Sequence, residues 1–117
     1  MEEYVSPDGQ LRFRVVTGTD GDVTLGFDGF PWHTHADILA ATSGLPAAVA
    51  IRRFVSDLIG GVSVIVLLSV GGELQDVWVS DDPVRGAVYP QPGESVVLQY
   101  WDGRLLQPSQ TIFPCYP

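Results

Sequence analysis

Polar and apolar positions alternate in two neighbouring stretches of the chain. From 11 to 16, Leu11, Phe13 and Val15 fall on one side and Arg12 and Arg14 on the other, the period of a strand with one wet face. After the Gly- and Asp-rich segment Gly18-Thr19-Asp20-Gly21-Asp22, Val23, Leu25 and Phe27 repeat the pattern. The two stretches are expected to pair as an antiparallel hairpin across that turn.

Past Ser43 the period changes. Ala48, Ile51, Phe54, Val55 and Leu58 recur at helical spacing, while Arg52, Arg53, Ser56 and Asp57 fall mostly on the opposite face. The pattern predicts one main amphipathic helix over about residues 45–59. Ser43 is its expected N-cap, Pro46 lies in its first turn, and Gly60-Gly61 is its stop. The run Val62 to Val70 is almost wholly apolar and β-branched, which reads as a central strand buried on both faces. Leu74–Ser80 and Ser95–Trp101 are the remaining strands. Between them, 81–94 is a Pro- and Gly-rich loop, long for so small a chain. From about residue 107 the tail has no periodicity, although Ile112, Phe113 and Tyr116 give it apolar weight.

The resulting order is β-β-α-β-β-β. It predicts a single α+β domain over 1–117, with a two-layer fold in which one main helix covers one face of an antiparallel sheet of about five strands.

Composition narrows the functional classes. Of the 117 residues, 45% are apolar, a globular content sufficient for a core without a disulfide or structural metal. The lone Cys115 suits a reducing compartment. The opening Met1–Gly9 lacks the apolar segment of a signal peptide, and the longest apolar run is too short for a bilayer helix, so a cytoplasmic protein with no membrane partner is expected. Fourteen acids against six bases leave a net charge of −8. That balance argues against nucleic acid and admits a basic protein partner. All six bases are arginine, which removes lysine Schiff-base chemistry and the phosphate-binding lysine of a P-loop. Arginine-only usage with abundant Ala, Gly and Val suits a GC-rich bacterial gene.

One segment, Asp28–Leu39, carries candidate chemistry. It holds both histidines of the chain, and an aspartate continues their spacing as His33-x-His35-x-Asp37. If extended, the three side chains share a face and offer two imidazoles and a carboxylate to zinc or ferrous iron. The spacing resembles the opening of the metallo-β-lactamase motif H-x-H-x-D-H over these five residues. Ile38 stands at the sixth position and no third histidine exists, so membership of that family is rejected.

The competing expectation is a capping box, Thr34-x-x-Asp37, starting a short helix at 35–41. Its apolar face would be Ile38, Leu39 and Ala41, and the two histidine side chains would diverge. This reading accounts for more of the segment and is preferred; it assigns no metal and no cofactor. Phe27, Phe30 and Trp32 are expected to close the core over a sheet edge. No serine-hydrolase, zinc-protease, dithiol or nucleotide-binding motif is present, so a non-enzyme is favoured.

The expected function is therefore a small acidic protein-binding domain, of the immunity or inhibitor type, for a basic partner. Its candidate binding residues are Trp32, His33, His35, Asp37, Tyr89 and Trp101. The alternatives are a metal- or small-molecule-binding enzyme centred on His33, His35 and Asp37, and a structural homodimer or larger homo-oligomer.

Overall fold

The computed structural model describes residues 2–80 and 92–106. Tyr89, Cys115, most of the 81–94 loop and the tail expected from about 107 lie outside them.

The hairpin forms as expected, from β2 (Arg12–Thr17) and β3 (Val23–Phe27), but two further strands flank it. β1 (Glu2–Val5) pairs antiparallel with β2, and β4 (His33–His35) pairs antiparallel with β3. The result is a four-stranded sheet, A, in the order β1-β2-β3-β4. Leu11, Phe13, Val15, Leu25 and Phe27 are buried on its inner side. Arg12, Arg14 and Val16 alternate with them on the outer side, and cross-strand register adds Glu3, Thr24, Gly26, His33 and His35 there.

Two helices follow: α1 (Ala36–Ser43) and α2 (Ala47–Ile59), at 90° to one another. Gly44 ends α1 in the left-handed region at φ 74°, where its N–H donates to the Ala40 carbonyl at 2.8 Å. Glycine takes this conformation without the Cβ penalty of other residues. Ser43 does not cap the long helix. It closes α1, its Oγ donating to the Leu39 carbonyl at 2.7 Å and accepting from Leu45 N–H at 3.2 Å, while Pro46 holds the N-cap position of α2. The predicted stripe survives in part. Val55 and Leu58 are buried, Ile51 and Phe54 pack against the core, and Ala48 is exposed. Gly60 and Gly61 end α2 as expected.

β5 (Val64–Val70), β6 (Glu73–Ser80) and β7 (Glu94–Gln99) form a second antiparallel sheet, B, in the order β6-β5-β7. Val64 to Leu67 are four consecutive buried residues, so the first half of the expected central strand is covered on both faces, while Val62 lies outside the strand and Val62 and Val70 are exposed.

The expectation of one sheet of about five strands under a single helix is thus corrected. The α+β class stands, but the architecture is a four-stranded and a three-stranded sheet with two separate helices. Sheet A's inner face, α2 and one side of sheet B meet in a common core that includes Phe13, Leu25, Leu58, Ile65 and Val77, with Trp101 against it. Phe13 anchors it, edge-on to Phe27 at 5.1 Å between ring centres and stacked on Phe54 at 5.8 Å.

Candidate functional site

The outer face of sheet A gathers most of the candidate chemistry. Residues directly across from one another form rows. Glu3, Arg14, Gly26 and His33 make one such row; Val16, Thr24 and His35 make the next. In the first row Gly26 has no side chain, so the surface dips between Arg14 and His33. The shallow depression, of about 200 Å³, is rimmed by Val16, Thr24, Asp28 and Trp32. Only glycine fits at its floor. A Cβ on residue 26 would lie 2.9 Å from the Trp32 carbonyl oxygen and 3.2 Å from His33 Cβ.

Arg14 is already committed within the chain. Its Nε donates to Glu3 Oε2 at 2.8 Å and its Nη1 lies 3.1 Å from Asp28 Oδ1. Arg12 reaches the same Glu3 at 3.4 Å. The hydrogen bond from Arg14 and the charge of both guanidiniums hold the Glu3 carboxyl below its ordinary value, and Glu3 raises Arg14 in return. These groups face solvent, so screening leaves each pair little net effect on stability.

At the other rim stand the two histidines. They do not diverge. β4 puts both on the outer face, with ring centres 5.0 Å apart and planes at 86°. His33 Nδ1 lies 3.1 Å from the Pro31 carbonyl oxygen, and His35 Nδ1 lies 3.0 Å from Asp22 Oδ2. Asp22 comes from the β2–β3 turn, whose Asp20 carboxylate accepts from the Asp22 N–H at 3.0 Å.

Asp37 goes elsewhere. It sits in the first turn of α1, its Oδ1 accepting from the Ile38 N–H at 2.9 Å. Among the described residues no three His, Cys, Asp or Glu side chains converge where one ion could be held, so the His33–His35–Asp37 trio is not assembled.

The capping box is not made either. Thr34 is buried in β4 opposite Leu25. The N-cap of α1 is His35, in extended conformation and with no side-chain hydrogen bond to the helix. The helix starts at Ala36 because β4 stays paired with β3 through His35. It buries Ala36 and half-buries Leu39, leaving Ile38 exposed.

Of the aromatic candidates, Trp32 is half-buried against Phe27 at 6.2 Å between ring centres, as a core-closing residue should be. Trp101 is 6% exposed and belongs to the core, so its ring offers little to a partner. Sequence reasoning missed Asp22, which it read only as a turn residue, and Gly26. No signal in the sequence pointed to Asp22: Thr24 lies opposite His35, two residues from Asp22, only through the β3–β4 pairing, and a three-residue β4 is too short to read.

No protein-family model, curated protein or solved structure matches the chain. No single helix among the described residues is long and apolar enough to cross a membrane.

Proposed function

We propose that the chain is a non-catalytic, cytoplasmic, protein-binding domain for a basic partner. The observation that supports it is the unequal use of charge. Arg12 and Arg14 are consumed by Glu3 and Asp28, and Arg104 lies over the Tyr100 ring at 4.4 Å. Meanwhile Asp20, Asp22 and Asp37 stay exposed at the end of sheet A where α1 begins. At this end of the molecule the two nearest arginines are already paired with Glu3 and Asp28, so the local charge offered to a partner is negative, in keeping with the net −8 of the chain. A partner rich in arginine or lysine would be steered to that end, with His33 and His35 beside it.

The test is kinetic. A partner recovered by affinity purification should be basic, and its association rate should fall steeply between low and physiological salt. The combined Asp20→Asn, Asp22→Asn and Asp37→Asn variant should associate more slowly and with a shallower salt dependence. An acidic partner, or a rate indifferent to salt and to these substitutions, rejects the reading.

A further inference from the structure

His33 and His35 are the only histidines in the chain, and each ring is fixed through its Nδ1. The Pro31 carbonyl oxygen can only accept, so in the neutral ring the proton at 3.1 Å belongs to His33 Nδ1. The Asp22 carboxylate oxygen is likewise an acceptor, so in the neutral ring His35 carries its proton on Nδ1 at 3.0 Å. Both imidazoles are thereby left with an Nε2 lone pair, and neither Nε2 has a hydrogen-bond partner among the described residues. One carboxylate and one backbone carbonyl on the rear nitrogens is the arrangement that orients metal-binding histidines and raises their basicity.

The spacing agrees. An ion held about 2.0–2.1 Å from the Nε2 of each of two imidazoles, in tetrahedral geometry, puts the ring centres roughly 5 Å apart. Here they are 5.0 Å apart. The two residues sit two apart on a paired strand, not on a loop, with His33 exposed and His35 half-exposed on the outer face of sheet A.

We propose that His33 and His35 form a two-nitrogen site for a divalent transition-metal ion of the copper or zinc class. Both ligate through Nε2. Asp22 and the Pro31 carbonyl are positioning groups and do not touch the ion. Water fills the remaining coordination positions, because no third protein ligand converges among the described residues. The bound ion is therefore open to an exogenous donor, unlike the closed four-ligand shell of a structural zinc.

The rival explanation of any cation binding is the net −8 charge, which draws cations to carboxylates without using the histidines. Calorimetric titration of the full chain with copper, zinc, calcium and magnesium salts separates the two. The site predicts one saturable equivalent, copper bound tighter than zinc, and no competition from magnesium or calcium. His33→Ala and His35→Ala should each remove the saturable phase while leaving the metal-free urea midpoint near wild type. Asp22→Ala should weaken binding by about 10–100-fold. Paramagnetic resonance of the copper-loaded chain should show two imidazole nitrogens. Titrations without saturation, displacement by magnesium, or undiminished binding in the double histidine variant overturns the proposal.

Discussion

Thr34 and Gly26 show how a residue's role depends on its strand partner. Thr34-x-x-Asp37 has the spelling of a capping box, but the backbone of β4 is taken up by pairing with β3, and the threonine side chain points into the core. Its hydroxyl makes no hydrogen bond to the helix. Thr34→Val should thus leave the urea midpoint unchanged or raise it, since valine suits a buried strand position. A loss of about 1 kcal/mol would instead restore the cap. Gly26 is the reverse case: an unremarkable glycine by sequence, yet a Cβ there would press on the Trp32 carbonyl and His33. Gly26→Ala should cost about 1–3 kcal/mol by overpacking. It should also disturb the His33 ring, seen as a chemical-shift change in the imidazole proton resonances. Stability and shifts equal to wild type would mean that β4 lies farther from β3. The common face of the two histidines was legible from their spacing, provided the segment was taken as extended. The Asp22 partner was not, because it depends on how the β2–β3 turn folds back.

Among the elements, those with a strong period were readable. The hairpin, the stripe of α2 and the apolar β5 each carry five or more residues that agree with one another. β1 and β4 have four and three residues, too few for alternation to register. Both owe their place to partners. β1 is held to β2 by register and by the ion pairs from Glu3 to Arg12 and Arg14; β4 is held by Leu25 opposite Thr34. These short strands complete sheet A before the helices intervene, so the later strands make a sheet of their own. α2 joins the two sheets through Leu58, which is fully buried in the shared core. Leu58→Ala should cost about 2–5 kcal/mol in chemical denaturation. A cost near zero would detach α2 from both sheets.

Across the whole molecule, charge sets two opposing responses to acid. Long-range repulsion among 14 acids opposed by six arginines is relieved as carboxylates take up protons, which favours the folded state. Specific contacts act in the other direction. The hydrogen bond from Arg14 and the arginine charges lower the Glu3 carboxyl from its ordinary 4.5, and the Ser6 hydroxyl and Gln10 N–H lower Asp8 from 3.8. A carboxyl depressed in the folded state adds stability that is fully present above its unfolded value and is lost as pH falls through its folded value. Stability should therefore stay level or rise gently from neutral pH to about pH 5, then fall below about pH 4 as Glu3 and Asp8 protonate. Glu3→Gln makes the cause testable. The variant lacks the ionised partner of Arg14 at every pH, so it should be the less stable protein at neutrality. Once wild-type Glu3 is protonated the two side chains carry the same charge, and the gap between their urea midpoints should close in acid. A gap unchanged at about pH 2 would show that Glu3 acts through packing and not through its charge, and that β1 is held to the sheet without the ion pairs.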